Sequence, residues 1–568
     1  LPSQREEAEH LVFATKGDPD FFHGSRASPM TAPSKGRIAR AGLPGRTSGL
    51  FSHFVQPRPV AARMRKNLSK PLLVMKFGGT SVGNASCIEN AVEIVRAAAR
   101  DNDVVVVVSA MSGVTNRLIE AARQSQAGDR GQVTRILGEL RARHDEVANA
   151  LIDSVEERNR IGCRTWELFR EINRLCQDTV LSRELTVQAN DSIASLGERL
   201  SAPLVAARLA ELGVASQAFE ATDLIVTDSN HGAAEPRMDL TRGRCEASLR
   251  PLLQRGIIPV ITGFIGASEA GALTTLGRGG SDYSATIVGA ALDADEVIIW
   301  TDVDGMMTSD PRLVPGARTI AEISYREAAE LAYFGAKVLH PKTLRPVMQD
   351  GIPLWIRNSF APERPGTKIT PSEFRRRDVT ALSALRDVAL ITISGPRIAQ
   401  VRDVLDRTFA TTSAVRADVL LVSQASSQNE LRLVISSALA EATMDALRHE
   451  FAHDLAQQHL EPIIFDASVA IVTIVGHSLR GMSGILECAV DTMEREKVNI
   501  IATAEGPSEC TISFVVPTSD MKAALASLHG EFQLGIRTAT EEQNFYPGCE
   551  PCNATPNLTR NSDESQSR

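Results

Sequence analysis

The sequence predicts an α/β fold: a mainly parallel sheet wound with helices, followed by two copies of a smaller strand-and-helix module. Three observations carry this. Val-Met-Lys-Phe-Gly-Gly-Thr-Ser-Val-Gly (74–83) reads as strand, glycine turn and helix start, and Ser-Ala-Met-Ser-Gly-Val-Thr-Asn (109–116) repeats that order after the apolar run 104–108. Two such turns in succession place both on the carboxyl edge of one parallel sheet, where ligands of open α/β folds bind. Lastly, Val-Ala-Leu-Ile-Thr-Ile-Ser-Gly (388–395) recurs as Val-Ala-Ile-Val-Thr-Ile-Val-Gly (469–476), an offset of 81 residues, and repeats of this kind indicate paired modules.

With 568 residues, 43% of them hydrophobic and 23% charged, the chain is long enough for several globular domains. A net charge of −8 and the lack of a basic stripe in the main body argue against nucleic acid. No apolar run approaches the roughly 18 residues of a membrane span, so a soluble protein is expected. Eight scattered cysteines do not form a disulfide framework. Cys549 and Cys552, one Cys-x-x-Cys in a polar tail, read as tail cysteines, and no metal site is expected.

Residues 1–70 have no sustained periodicity and are read as a disordered leader. An acid-free, Arg- and Ser-bearing stretch from Met30 leaves a transit peptide open as the alternative to a non-essential leader. Localisation is accordingly expected to be cytoplasmic, or plastid if 30–63 is a transit peptide.

At the first turn, Gly78 and Gly79 let backbone N–H groups approach an anion, the helix start adds partial positive charge, and Lys76 adds a full one. A bare Lys-x-Gly-Gly also occurs in structural turns. Residues 117–199 then read mainly as helices, an elaboration that ends in Gly-Glu-Arg-Leu-Ser (197–201). Thr-Leu-Gly-Arg-Gly-Gly-Ser-Asp-Tyr-Ser-Ala (275–285) is the most informative segment. Its glycines surround Arg278 directly before a helix carrying Ser281 and Asp282, a second anion cradle. A strand at 296–300 ends in Thr-Asp-Val-Asp-Gly, Thr-Ser-Asp-Pro-Arg (308–312) follows, and Phe-Gly-Ala-Lys-Val-Leu-His-Pro (334–341) brings Lys337. Lysines, arginines and carboxylates at the strand ends of one sheet suit an anionic nucleotide and a small charged substrate.

Lys-Phe-Gly-Gly-Thr-Ser-Val (76–82), Gly-Glu-Arg-Leu-Ser, Gly-Arg-Gly-Gly-Ser-Asp-Tyr-Ser-Ala, Trp-Thr-Asp-Val (300–303), Thr-Ser-Asp-Pro-Arg and Phe-Gly-Ala-Lys-Val-Leu-His-Pro, in this order, resemble the aspartate kinases. The resemblance implies an amino-acid kinase-like three-layer sandwich with a mainly parallel central sheet (71–370), then a linker (371–387). Two ferredoxin-like βαββαβ ACT domains (388–465 and 466–545) and a disordered tail (546–568) would follow. It further implies ATP with Mg2+ as phosphoryl donor and L-aspartate as acceptor, in the first step of lysine, threonine and methionine biosynthesis.

Carried over by position, Lys76 would contact the transferring phosphoryl group, with Asp282 orienting it. Gly78 and Gly79 would cradle phosphates. Arg278 would pair with the substrate α-carboxylate and Glu198 with its α-ammonium, with Ser109, Thr115, Phe264 and Ser281 lining that pocket. Thr301, Asp302, Met307, Arg312 and Lys337 would hold nucleotide. Met307 stands where the family usually has an aromatic ring, and Asp304 where proline is common, which implies altered nucleotide contact. A catalytically impaired amino-acid sensor on a kinase scaffold is the alternative reading.

The two modules resemble ACT domains, which bind amino acids at paired interfaces. Asp418, Gln424 and Asn499 are the implied effector residues, threonine or lysine the implied inhibitor, and a homodimer or homotetramer the implied assembly. Gln424 tilts the reading to threonine, whereas Glu505 replaces the usual glutamine of the second module. No fused dehydrogenase is expected after that module.

Overall fold

The computed structural model describes Leu68 and residues 70–536, apart from 337, 372–378, 397, 399–400, 402, 426–429, 478, 480–483 and 507. All of the leader except Leu68 and Lys70, the tail and Lys337 therefore lie outside the described residues. No helix among the described residues is long and apolar enough to cross a membrane.

The first strand, β1 (Leu72–Phe77), is buried throughout because it lies centrally in a sheet covered on both faces. Helix α1 (Ala85–Ala98) follows, started by Asn84, whose side chain accepts from the Cys87 N–H. Strand β2 (Asp103–Val108) then leads into five helices. These are α2 (Val114–Ala127), α3 (Arg130–Leu151), α4 (Val155–Ser182), α5 (Val187–Ala194) and α6 (Leu196–Glu211). The chain returns through β3 (Ser216–Phe219), β4 (Val226–Thr227), α7 (Met238–Gln254) and β5 (Ile258–Thr262). The ribbon β6 (Ile265–Ser268) and β7 (Leu273–Thr275) precedes α8 (Gly280–Ala291) and β8 (Glu296–Thr301). Next come β9 (Glu322–Ser324), α9 (Tyr325–Tyr333), α10 (Pro341–Asp350), β10 (Leu354–Asn358) and β11 (Thr367–Thr370).

The sheet order is β3-β5-β2-β1-β8-β10-β11-β9, parallel except between β10 and β11. Side chains alternate across it. Leu73, Met75 and Phe77 enter the core shared with α1 and the helical excursion, while Leu72 and Val74 enter the core shared with α8. That period of two places Lys76 on the α8 face. Helices on both faces of the sheet make the three layers.

The carboxyl-terminal half forms two antiparallel sheets. The first comprises β13 (Val388–Ser394), α11 (Val404–Ala414), β14 (Val419–Ala425), β15 (Glu430–Ser436), α12 (Ala440–Glu450), α13 (Ala452–Ala456) and β16 (Ile464–Asp466). Its order, β14-β15-β13-β16, is that of a complete βαββαβ unit. The second comprises β17 (Val469–Gly476), α14 (Ile485–Arg495), β18 (Ala502–Glu505), β19 (Thr511–Pro517) and α15 (Met521–Glu531). The repeat keeps its offset at four elements. Val388 and Val469, Val404 and Ile485, Glu430 and Thr511, and Ala440 and Met521 open equivalent elements, each pair 81 residues apart.

One expectation needs correction. The segment 371–387, read as a linker, contains the strand β12 (Val379–Leu385), which pairs antiparallel with β17. Among the described residues the second repeat shows no last strand of its own, and β12 covers the edge that β17 would otherwise expose. Ala381 and Leu382 are buried there. The two sheets meet through Val388, Leu390, Leu421, Val434, Ile471 and Val515, in a cluster that also takes in Phe334 of the first domain.

Candidate active site

Close packing of three turns at the carboxyl edge of the sheet builds the site. A Cβ on Gly79 would stand 2.9 Å from the Ala110 carbonyl oxygen, and the Ser112 N–H donates to the Gly79 carbonyl at 3.0 Å. Glycine there lets the turn after β1 press against the turn after β2. Gly263 does the same for α8, since a Cβ on it would come within 2.7 Å of the Ser281 Cβ. The Phe264 ring lies so near Gly280 that a Cβ there would meet it at 2.6 Å. Phe264 itself sits at φ 71°, held by its N–H donating to the Ser284 hydroxyl at 2.9 Å.

Lys76 and Asp282 meet across this packing, with Nζ 2.5 Å from Oδ1. The ammonium is nearly buried, its carboxylate partner half-buried, so the pair is fixed in place. Gly78 departs from the expected cradle role, because its N–H already donates to the Trp300 carbonyl at 3.0 Å. What it supplies is room, for a Cβ there would lie 3.4 Å from the Lys76 Nζ.

Glu198, in the first turn of α6, is 3% exposed. Gly197 permits this, since a Cβ on it would collide with that of Ala110. The Ala110 and Glu198 backbone, the Ser281 hydroxyl and the Lys76 charge all favour the ionised carboxylate. Burial nevertheless outweighs these and pushes its pKa up to about 8. Its Oε2 has no partner among the described residues. A buried carboxyl oxygen without a donor is costly unless a ligand supplies one, and an ammonium group is a fitting donor.

Arg278 is exposed and makes no ion pair among the described residues. The helix after it, α8, has Gly279 as its N-cap with no side-chain cap, and the Gly280 N–H already donates to the Gly277 carbonyl at 3.0 Å. Ser109 and Thr115, in the turn after β2, are half-buried on the same edge.

The residues assigned to nucleotide are more open. The Thr301 carbonyl accepts from the Ser359 N–H at 2.8 Å, and Asp302 is exposed. Arg312 is engaged with Asp310, Nη2 to Oδ2 at 2.7 Å and Nε to Oδ1 at 3.0 Å, with its side chain 76% exposed. Met307 is half-buried and bridges to Thr319, whose hydroxyl lies 3.5 Å from its sulfur. The charge of Asp304 is engaged locally. Asn358 donates to it at 2.7 Å and Arg364 pairs with its other oxygen.

Sequence reasoning missed the contacts that tie this end to the second repeat. Thr308 receives the Leu382 N–H on its carbonyl at 2.8 Å, and its hydroxyl lies 3.0 Å from His529 Nε2 on α15. The Arg318 Nε donates to the Leu534 carbonyl at 2.8 Å, and the Ser383 hydroxyl to the Phe334 carbonyl at 2.6 Å. Gly335, at φ 109°, has the Ala384 carbonyl where a Cβ would go. Only that glycine carried a local signal; His529 reads as an ordinary helix residue.

The effector residues fall on separate repeats. Asp418 is exposed ahead of β14, close enough to Tyr333 to help burial raise that phenol's pKa. Gln424 lies within β14 opposite Leu431. Asn499, exposed ahead of β18, donates its N–H to Asp520 at 3.4 Å.

A mainly parallel sheet with a lysine–carboxylate pair and glycine-rich turns at its carboxyl edge fits the amino acid kinase family. That family's model matches residues 71–358, and the ACT domain model matches 472–532. The chain belongs to the aspartokinases within this family. It is 30% identical to Arabidopsis thaliana aspartokinase 3, chloroplastic, over 83% of either chain. The Haemophilus influenzae bifunctional aspartokinase/homoserine dehydrogenase is also 30% identical, over 80% of this chain. The chain spans 51–56% of the length of such bifunctional relatives. Escherichia coli aspartokinase III, crystallised with aspartate and ADP, superposes with a TM-score of 0.68 at 30% identity, covering 81% of this chain and 99% of that one. Its complex with lysine and aspartate gives 0.67 at 29% identity, with the same coverage.

Proposed function

We propose that this protein transfers the γ-phosphoryl group of MgATP to the side-chain carboxylate of L-aspartate, giving 4-phospho-L-aspartate and ADP. The observation that carries the reading is the unpartnered, buried Glu198 oxygen beside the Lys76–Asp282 pair. An amino acid whose ammonium meets Glu198 and whose α-carboxylate meets Arg278 would direct its remaining carboxylate toward Lys76.

That carboxylate is ionised at neutral pH, with an ordinary pKa of about 3.9, and needs no general base. Catalysis is then positioning and charge stabilisation. Lys76 offsets charge on the phosphoryl oxygens, Asp282 keeps its ammonium aimed, and the Gly79 turn offers backbone donors. Mg2+ arrives with the nucleotide as part of the substrate. Thr301, Asp302, Met307, Arg312 and Lys337 are assigned to the nucleotide.

The product would feed lysine, threonine and methionine biosynthesis. Threonine or lysine would inhibit through the paired ACT repeats, by binding one of two conformations more tightly. Asp418, Gln424 and Asn499 are the proposed effector contacts, and pairing of these repeats between subunits would give a homodimer or homotetramer. The lysine-bound relative supports such control. The protein would work in the cytoplasm, or in a plastid as the chloroplastic relative does.

Hydroxylamine trapping tests the reaction. Aspartyl hydroxamate should form from aspartate and MgATP, and not from N-acetylglutamate, which lacks the ammonium. Folded protein that binds threonine or lysine without turnover would instead be an amino-acid sensor. Changing Gln424 to Ala should relax inhibition with turnover kept; unchanged inhibition curves would remove that residue from the effector site.

A further inference from the structure

We infer that Asp191 is a positioning residue for the amino-acid substrate, acting through the loop that presents Arg278. The inference rests on the reading that Arg278 takes the substrate α-carboxylate. Asp191 lies on α5, the helix just before the one that carries Glu198, and is 1% exposed.

Its two oxygens collect four donors from two distant segments. Oδ1 accepts from the Thr275 hydroxyl at 2.7 Å, while Oδ2 accepts from the Thr275 N–H at 3.2 Å. Oδ2 also accepts from the Gly232 N–H at 3.2 Å and lies 2.8 Å from His231 Nδ1. A carboxylate only accepts, so Nδ1 carries the imidazole proton. Thr275 is the last residue of β7, three positions ahead of Arg278.

The second segment reaches the same loop from the other side. The Gly232 carbonyl oxygen occupies the space that a Cβ on Gly277 would need, 2.9 Å away, and Gly277 adopts φ 78°. The Ala234 N–H closes the loop by donating to the Thr275 carbonyl at 2.9 Å. Arg278 is therefore approached along its own strand through Thr275 and across the turn through Gly232. Both routes end on one buried carboxylate. Arg278 is exposed and has no ion-pair partner among the described residues, so its backbone is what fixes it. Without Asp191 three N–H groups in two loops lose their acceptor, and the guanidinium loses its register against Glu198.

Steady-state kinetics of the full-length protein test this with Asp191→Ala, Asp191→Asn, Thr275→Val and Arg278→Ala. Asp191→Ala should raise the KM for aspartate about tenfold, the size of one lost charge-assisted hydrogen bond, with the KM for ATP within about twofold. Thr275→Val removes one hydroxyl bond in a residue well suited to strands, and should raise the aspartate KM about threefold even if the alanine variant fails to fold. Asp191→Asn should recover most of the loss, since its amide oxygen can face the three N–H groups while its NH2 donates to the Thr275 hydroxyl. An aspartate KM unmoved by Asp191→Ala and Thr275→Val, a parallel rise in both KM values, or an asparagine variant as impaired as alanine would overturn the inference. Arg278→Ala separates the two readings. If it leaves the aspartate KM unchanged, the substrate assignment itself fails; if it raises that KM and the Asp191 and Thr275 variants do not, only the positioning role fails.

Discussion

On the proposed assignment, the two ends of the candidate site are built on opposite principles. At the acceptor end, Lys76 and Glu198 are buried, and Lys76 is paired before any substrate arrives. At the nucleotide end, Asp302 and Arg312 are exposed, and Arg312 already satisfies Asp310. Charges held in a water-poor site act strongly and need no rearrangement, whereas exposed ones are screened. On the proposed reaction, the difference concentrates bond making at the first end. The second is held in shape by β12 through Leu382 and by the carboxyl-terminal repeat through His529 and Leu534.

The contrast predicts a descending series of effects. Lys76→Ala should lower turnover by about a thousandfold while the protein stays folded, since a buried charge aimed at the developing phosphoryl charge is lost. Near-normal rates would place bond making elsewhere.

Glu198→Gln should raise the aspartate KM by ten- to a hundredfold, roughly 1.4–2.8 kcal/mol of binding. It should also flatten a pH dependence. The free protein holds Glu198 largely protonated below about pH 8, whereas an ammonium ligand requires it ionised. Aspartate binding by the parent protein should therefore strengthen as pH rises from 6 to 8, and an equally steep profile in the glutamine variant would remove Glu198 as its source. The same group marks stability. Its raised pKa contributes stability fully present below the ordinary value of 4.5 and lost as pH rises through about 8. The ligand-free glutamine variant should lack that part of the decline in thermal melts across this range.

At the open end the effects shrink. Met307→Phe should lower the KM for ATP about threefold by restoring a ring against the purine; no change would mean that the base lies away from this residue. Arg312→Ala should move the KM for ATP by less than about twofold, as expected for an exposed, already paired guanidinium. A tenfold rise would show that Arg312 leaves Asp310 for a phosphate when nucleotide binds, and the contrast would then belong to the ligand-free state alone.

Local pattern made much of this legible. Strand–turn–helix units at 74–83 and 109–116, the glycine-rich start of α8 and the offset of 81 residues each follow from short-range chemistry. Glycines could be read because close approach and positive φ leave few substitutes. Glu198 was read by type and position, but its burial was not, because Glu-Arg on a helix usually marks a solvated face.

What escaped the sequence is pairing across long separations. The strand 379–385 looked like linker because its partner lies some ninety residues on in the chain, and an edge strand announces itself only when the open edge of β17 is seen. Asp304 seemed to threaten the nucleotide until Asn358 and Arg364 were found around it. Asp191 gave no signal at all, for a buried carboxylate acquires meaning from donors 40 and 84 residues away. By itself the sequence determined the elements, the repeat and the residue types at the sheet edge, since these rest on local periodicity and backbone freedom. The tertiary structure alone decided which charges are buried, paired or left open, because desolvation and hydrogen-bond satisfaction depend on whatever the fold brings alongside.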